Sequence, residues 1–198
     1  MGLSRIQQLL RDGPRSSNLV IQCSSVGALN KQYMTEVVQR FTNRGDASTR
    51  IVFPSLSTVR ATHGGIEMGG TTFLNEKNYT AANFPKEMFH HFEPPPTMPM
   101  IHGHLSHSKV VIAYSNAIND DTVIYLGSHN LSKAAWGSFN KTGNSISINN
   151  YEMGVMFLPG TDSAQVKQGI IDKLPFNYIS SPYAASEEPW YIDKHLSN

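Results

Sequence analysis

Short apolar runs, separated by polar, glycine-rich or proline-rich segments, predict a series of buried strands along the 198-residue chain. Between them, apolar residues recur at helical spacing. The predicted strands span 18–25, 50–55, 109–114, 122–128 and 151–159. The predicted helices span 3–13, 30–45 and 130–137, and they end at Gly13, Gly45 and Gly137. Alternating strands and helices indicate an α/β fold in which a mixed β-sheet is layered with helices.

The remaining segments follow this pattern less closely. Residues 57–65 predict a short helix leading into a glycine loop, and 75–92 is expected to be helical only in part because Pro85 divides it. A proline-rich spacer occupies 93–100, and the tail from residue 160 is less patterned. The sequence contains no internal repeat, so we expect a single domain over residues 1–198.

A polar segment, SNAINDD, joins the two central strands and predicts a β-hairpin made of 109–114 and 122–128. Facing residues of an antiparallel pair lie at equal distances from the turn. If the hairpin folds back at positions 118–119, His107 and Asn130 therefore face each other at one end of it. This end also lies at the start of the helix predicted next along the chain.

Side chains at this end of the hairpin have the chemistry of a phosphate site. Lys109 shares the sheet face of His107, and Ser128 shares that of Asn130 if the second strand continues so far. A lysine supplies charge, while hydroxyls, amides and a helix start can hold phosphate oxygens. A histidine can transfer a proton or attack phosphorus. A lone HxK pattern is better explained as two surface residues, so the prediction depends on the convergence of all these groups.

Composition leaves the class of ligand open. The 16 Lys and Arg residues nearly balance the 15 Asp and Glu residues, and a net charge of +1 neither supports nor excludes a nucleic-acid partner. The one cysteine, Cys23, excludes an intramolecular disulfide, which fits a reducing compartment such as cytosol or nucleus. It lies in an apolar run and is expected to be a small buried residue. No run of about 18 apolar residues occurs, so no membrane partner is expected.

Two further features have both a functional and a structural explanation. Histidines occur at 102, 104 and 107, but no cysteine accompanies them, and the nearest carboxylate upstream is Glu93, beyond the prolines. We therefore expect a histidine-rich loop, with no metal or other cofactor. Trp190 could stack on a base or a peptide at a cleft, and burial in the core would explain it equally well.

Several longer strings carry a specific resemblance. HSK at 107–109, followed by an apolar strand and GSHN at 127–130, resembles the phospholipase D superfamily signature of HxK and GSxN. SHNLSKAAWG and NYEMGVMFLP resemble the tyrosyl-DNA phosphodiesterase family in particular. That family lacks the aspartate that other superfamily members carry shortly after the lysine, and none occurs here between Lys109 and Asp120. QCSSVGAL, VFPSLSTVR and a GG pair extend the resemblance over about residues 3–192, corresponding to the family's C-terminal half.

The resemblance implies a phospholipase D-like half-domain and a two-step reaction that repairs DNA carrying 3′-phosphotyrosyl adducts. In this family, a histidine of the N-terminal half attacks phosphorus and forms a phosphohistidine. A histidine of the C-terminal half protonates the leaving tyrosine and then activates water. The implied substrates are single-stranded or nicked DNA 3′ ends with tyrosyl or other adducts, including a peptide derived from topoisomerase I. The implied location is the nucleus, and the implied partner is the N-terminal half of the same enzyme.

The resemblance also assigns roles to individual residues. His107 matches the general acid and base, and Lys109 and Asn130 match residues that hold the phosphate. Glu152 matches a carboxylate that orients a catalytic histidine. The residues that match contacts with the DNA backbone are Ser24, Ser25, Ser132 and Lys133, to which we add Ser128 and Trp190 from their own chemistry.

One departure from the family pattern is large. His107 and Lys109 form the only HxK in the chain, so the nucleophilic histidine is missing and the isolated chain is expected to be inactive. The leading hypothesis is the C-terminal half of a tyrosyl-DNA phosphodiesterase. One alternative is a phosphate- or nucleic-acid-binding module without activity of its own. Another is a homodimeric phospholipase D-like nuclease that builds one site from two copies.

Overall fold

The computed structural model describes residues 2–95, 97–140 and 142–196. The strands in these segments are β1 (Asn18–Gln22), β2 (Ser48–Phe53), β3 (Phe89–His91), β4 (Val110–Tyr114), β5 (Val123–Gly127), β6 (Ser138–Phe139), β7 (Ile146–Ser147) and β8 (Gly154–Phe157). Six of them form a mixed sheet in the order β3-β2-β1-β4-β5-β8, and β6 and β7 form a separate small hairpin. The pairs of β1 with β2 and of β2 with β3 are parallel, whereas the other pairs in the sheet are antiparallel.

Helices connect and cover these strands. The α-helices are α1 (Gly2–Leu10), α2 (Lys31–Thr42), α3 (Leu56–Arg60), α4 (Glu76–Tyr79), α5 (Lys133–Trp136), α6 (Ala164–Ile171) and α7 (Ile192–His195). Short 3₁₀ segments occur at Gly65–Thr71, Lys86–Met88 and Pro99–Ile101. Within the described part of the chain, no helix has both the length and the apolar character needed to cross a membrane.

Both faces of the sheet are covered, as its alternating side chains require. Leu19 and Ile21 of β1 lie in the core that also contains buried residues of α1 and α2. Val20, between them, lies in the core on the opposite face, which Ile171 of α6 helps to close. The predicted α/β fold, with a mixed sheet layered by helices, is therefore confirmed.

The end of α2 differs from the prediction. The helix stops at Thr42, and Asn43 rather than Gly45 takes the left-handed backbone conformation, with φ of 53°. The Asn43 side-chain amide donates to the carbonyl oxygens of Leu10 and Gly13, at 2.6 and 3.1 Å. These bonds tie the end of α2 to the end of α1 and offset the cost of the unusual conformation.

The segment 75–92 is helical only in part, as predicted, with α4 and the 3₁₀ segment Lys86–Met88 on either side of Pro85. Its last part forms β3, which pairs with β2. The backbone N–H of His91 donates to the carbonyl of Ser181 at 2.9 Å, and that of Tyr183 donates to Phe89 at 3.0 Å. The tail thus packs along β3, and α6 and α7 give it more regular structure than its sequence pattern indicates.

The β4–β5 hairpin forms, but its register is shifted by one residue from the prediction. Val110 pairs with Leu126, which centres the turn on Ile118. In the turn, the side chain of Asn119 accepts the backbone N–H of Asp121 at 3.0 Å. Because β5 ends at Gly127, Asn130 lies beyond the ladder and does not face His107 across it.

The prediction that Trp190 binds a base or peptide is wrong. Its side chain has no exposed surface and lies in the main core. The indole N–H donates to the carbonyl oxygens of Gly69 and Thr72, both at 3.1 Å. A tryptophan without solvent exposure cannot stack on a ligand, so Trp190 holds the tail against the 3₁₀ segment instead.

Candidate active site

A recess of about 440 Å³ lies at the open end of the β4–β5 hairpin, opposite its turn. The segment that leads into β4, the turn after β5 and the loop before β8 each contribute residues to it. Its walls are formed by His107, Lys109, Gly127, Ser128, Asn130 and Glu152. The structure therefore brings together the residues that the sequence predicts as catalytic, while their individual roles stay predictions.

Lys109 and His107 form the positively charged side of the recess. The Lys109 Nζ donates to the His107 carbonyl at 2.7 Å and lies 3.1 and 3.2 Å from the two nitrogens of its ring. Burial, followed by the charge of Lys109, lowers the pKa of His107. Burial also lowers the pKa of Lys109, although the acidic groups of Cys23 and Glu152 oppose this shift. The site thus favours a neutral imidazole next to an ammonium group.

Asn130 is positioned by the segment that follows β1. Its Oδ1 accepts the backbone N–H of Ser25 at 3.0 Å and the hydroxyl of Ser24 at 3.3 Å. The backbone of Leu131 also pairs with this segment, because its N–H donates to the Ser25 carbonyl at 3.1 Å. With Oδ1 occupied, the Asn130 NH₂ group is the part of the carboxamide that can donate to a ligand oxygen.

Ser128 and Glu152 close the opposite side of the recess. The Ser128 hydroxyl donates to the Glu152 carboxylate, whose other oxygen accepts the side-chain amide of Asn150 at 3.0 Å. The Ser128 backbone N–H donates to the Met153 carbonyl at 2.9 Å, and the Met153 N–H donates to the Ser128 hydroxyl at 3.0 Å, so the two loops are held together. Among the described residues, no histidine forms a hydrogen bond with Glu152, so the predicted orienting role has no partner within this part of the chain.

The predicted backbone-contacting residues fall into two groups. Ser25 is partly exposed, but Ser24 is buried and places its hydroxyl on Asn130, so it supports the carboxamide rather than a ligand. Ser132 accepts the N–H of Ala135 and begins α5, which is only four residues long. Lys133 is exposed beside it. Of these four residues, Ser25, Ser132 and Lys133 therefore have surface available for direct contact.

His129, which the sequence analysis did not identify, lies between Ser128 and Asn130 but points into a neighbouring pocket rather than into the recess. Its ring stacks on Trp136 with centroids 4.1 Å apart and forms a hydrogen bond with the Tyr125 hydroxyl. Burial lowers the pKa of His129, and the nearby Glu152 opposes this shift. In the sequence, His129 follows Tyr125 by four residues. This spacing is too common to predict a hydrogen bond between the two side chains.

The histidine-rich loop lies outside this recess. His102 and His104 line a separate surface depression with His63, and the rings of His63 and His104 are 5.1 Å apart in an edge-to-face arrangement. Within the described residues, no group of three or more His, Cys, Asp or Glu side chains is arranged to hold a metal ion.

Comparison with known proteins shows that the chain matches one protein family. A family model described as tyrosyl-DNA phosphodiesterase matches residues 1–188. Tyrosyl-DNA phosphodiesterase 1 of Drosophila melanogaster is 28% identical over 88% of this chain and 34% of its own length. The Arabidopsis thaliana protein of the same name is 29% identical over 76% of this chain and 26% of its own length. The chain thus spans between about a quarter and a third of the length of these relatives.

A solved structure extends the likeness to the fold. The yeast tyrosyl-DNA phosphodiesterase superposes with a TM-score of 0.65 at 19% identity. The match covers 96% of this chain and 52% of the yeast chain. At this identity the likeness concerns the arrangement of helices and strands alone.

Proposed function

This chain belongs to the tyrosyl-DNA phosphodiesterase family, and from that premise we propose that it is the C-terminal catalytic half of a DNA-repair phosphodiesterase. The proposed substrate is a DNA 3′ end, single-stranded or at a nick, that carries a tyrosyl or other adduct, such as a peptide derived from topoisomerase I. One observation carries the proposal, namely that His107, Lys109 and Asn130 meet at one recess. A proton-transfer group, a positive charge and an amide donor are what phosphoryl transfer needs.

The proposed reaction has two steps. A ring nitrogen of a histidine from the other half bonds to phosphorus as the bond from phosphorus to the tyrosyl oxygen breaks, and His107 gives that oxygen a proton. In the second step, His107 removes a proton from water, whose oxygen bonds to phosphorus as the phosphorus–nitrogen bond breaks. The product is a 3′-phosphate. Lys109 and Asn130 stabilise the charge on the phosphate oxygens in both transition states.

The electrostatics of the recess support both roles of His107. The lowered pKa favours the neutral imidazole that accepts a proton from water in the second step. In the first step, the negative charge of the bound phosphate offsets the charge of Lys109 and raises the pKa of His107. The histidine can then be protonated when the tyrosine leaves.

Glu152 supports the proposal that a second half completes the site. The carboxylate has hydrogen bonds only with Ser128 and Asn150 among the described residues. The residues around it, Tyr151, Met153 and Val155, are large apolar side chains that are 106%, 83% and 61% exposed. We propose that the N-terminal half covers this edge and presents its nucleophilic histidine to Glu152. The nucleus, where such adducts arise on DNA, is the proposed location, which fractionation of cells would test.

A second candidate function is favoured by the single HxK of the chain. Alone, the recess would bind a phosphate or a nucleic-acid end without cleaving it. A homodimeric nuclease would instead combine two recesses, and light scattering would reveal the doubled mass.

The proposal is tested by adding the N-terminal half of a relative to the purified chain and following cleavage of a 3′-phosphotyrosyl oligonucleotide. We expect no turnover by the chain alone, turnover by the mixture, and loss of turnover with His107→Ala. His104→Ala is the matched control, because His104 is exposed and close in sequence but lies outside the recess. Turnover by a proven monomer without the other half would contradict the missing-half argument.

A further inference from the structure

The start of α2 and the start of α5 meet at a single aromatic side chain, Tyr33. It is 4% exposed and belongs to the main core, although it lies directly beneath Ser132 and Lys133. The chain segment before α5 also packs closely on Gly27, where an added Cβ would come within 2.9 Å of the Ser132 Cβ. The surface that carries Lys133 is therefore built on a tightly packed base.

The backbone of Tyr33 is fixed before its side chain is considered. Asn30 caps α2, and its Oδ1 accepts the backbone N–H of Tyr33 at 2.8 Å. A residue held by an N-cap and buried in the core has few rotamers available. Tyr33 can therefore serve as a rigid support for groups that touch it.

The Tyr33 hydroxyl holds the backbone of the segment before α5. It donates to the Ser132 carbonyl at 3.2 Å, an oxygen that also accepts the Trp136 N–H at 3.0 Å. Burial raises the pKa of the Tyr33 phenol, so the hydroxyl keeps its proton over the whole physiological range. The hydroxyl is thus available as a donor to the Ser132 carbonyl throughout that range.

The Tyr33 ring holds the side chain of Lys133. The Lys133 Nζ lies 5.6 Å from the ring centroid, within the range of a cation–π contact. The lysine is otherwise exposed, and a free lysine side chain samples many rotamers that it must give up on binding a phosphate. The ring reduces that loss by confining the ammonium to one region above the helix start.

We propose that Tyr33 is a positioning residue that holds Ser132 and Lys133 for contact with the phosphate backbone of DNA bound at the recess. This inference rests on the proposed function, because it takes a DNA strand as the ligand. It adds a residue from the interior of the fold. The hydroxyl of Tyr33 holds Ser132, and its ring holds Lys133.

The test uses fluorescence anisotropy of a single-stranded oligonucleotide that ends in a 3′-phosphate, bound to this chain at several salt concentrations. Lys133→Ala should lower the slope of log K against log salt by about one, as loss of one phosphate contact does. Tyr33→Leu should weaken binding about two- to fivefold, the worth of an exposed cation–π contact. In the Lys133→Ala background it should have a much smaller effect, since the two residues then no longer interact.

A matched control is available elsewhere in the chain. Tyr79 carries the Nζ of Lys86 over its ring at 5.3 Å, but neither residue lines the recess. Tyr79→Leu should leave oligonucleotide binding unchanged. Tyr33→Leu that folds and binds like wild type, or that weakens binding equally with and without Lys133, would overturn the inference.

A conservative series keeps the inference testable if Tyr33→Leu does not fold. Phenylalanine and pentafluorophenylalanine at position 33 have nearly the same shape, but fluorination removes the negative potential of the ring face. The fluorinated variant should bind more weakly than the phenylalanine variant, and equal affinities would refute the ring's role. If Lys109→Ala does not weaken binding, the proposed recess fails instead. An upfield shift of the Lys133 ε-protons above the Tyr33 ring of the wild-type chain then decides the positioning separately, and its absence would refute it.

Discussion

The charge of Lys109 acts on His107 as well as on a bound phosphate. Burial is the larger cause of the lowered pKa of His107, and the ammonium of Lys109 adds to it. Lys109→Met removes the second cause, so the pKa of His107 should rise towards its ordinary value of about 6.5. An NMR titration of the His107 ring protons measures this change. Lys133→Met, which removes a lysine outside the recess, should leave the pKa of His107 unchanged.

The same shift gives the pH dependence of activity in the reconstituted enzyme. A lowered pKa keeps His107 neutral, and able to accept a proton from water, at pH values where an ordinary histidine is already protonated. If the second step limits turnover, the acid limb of the pH profile should move to higher pH in Lys109→Met. A limb that moves to lower pH would contradict the assignment of His107 as the base.

Loss of His107 itself should separate the two steps. Tyrosine is a fair leaving group, so its departure depends less on a proton donor than the attack of water depends on a base. In the reconstituted enzyme, His107→Ala should slow turnover by roughly 10²–10⁴-fold, the usual worth of a positioned acid or base. A denaturing gel should show a covalent DNA adduct with a conservative His107 variant that retains some first-step activity. If wild type accumulates an adduct and no His107 variant does, the roles of the two histidines are reversed.

At the scale of elements, two loops form the site jointly. The backbone N–H of Gly27 donates to Leu131 at 3.0 Å, and its missing side chain leaves room for Ser132. Gly27→Ala should push this segment away and displace Asn130 from the recess. We expect a loss of about 1–3 kcal/mol in the free energy of unfolding, as for other overpacked sites. Binding of a 3′-phosphate should weaken by about tenfold, the effect of losing a hydrogen bond to a charged group.

The control for this substitution is a glycine without such a neighbour. Gly169 lies within α6, and an added Cβ there would meet no atom within 4 Å. Gly169→Ala should leave binding unchanged and stabilise the protein by up to about 1 kcal/mol, because alanine favours a helix more than glycine does. Chemical denaturation and anisotropy measure both quantities, and equal behaviour of the two variants would refute the steric argument.

The contribution of the sequence to this picture varies with the element. Apolar runs located β1, β4 and β5 well, because buried central strands are nearly continuous in hydrophobicity. They did not locate β3, whose partner in the sheet is β2 and whose other neighbour is the distant tail. Asn43 replaced Gly45 as the helix end for a similar reason, since its side chain bonds to α1. Contacts between segments far apart in sequence leave no local pattern to detect.

The site likewise could be predicted where a local sequence motif marks it, and could not where distant segments meet. The HxK and GSHN strings identified His107, Lys109 and Asn130, but the predicted hairpin register, with Asn130 opposite His107, differs by one residue from the observed register. Asn130 reaches the recess through Ser24 and Ser25, which only tertiary structure brings near. Trp190 was ambiguous because an aromatic residue near the end of a chain suits a core and a binding cleft equally.

At the scale of the whole molecule, the apolar edge beside Glu152 should determine whether two halves assemble. Met153 is 83% exposed, so Met153→Lys costs this chain little core packing and should leave its unfolding transition within about 0.5 kcal/mol of wild type. In the proposed complex it would bury an unpaired charge, which is strongly unfavourable. Titration of the N-terminal half into the labelled chain should therefore show weaker assembly, and cleavage should fall in proportion. Met100→Lys is the matched control, because Met100 is 81% exposed but lies in a 3₁₀ segment outside the recess. Assembly that tolerates Met153→Lys but not Met100→Lys would place the other half on a different surface.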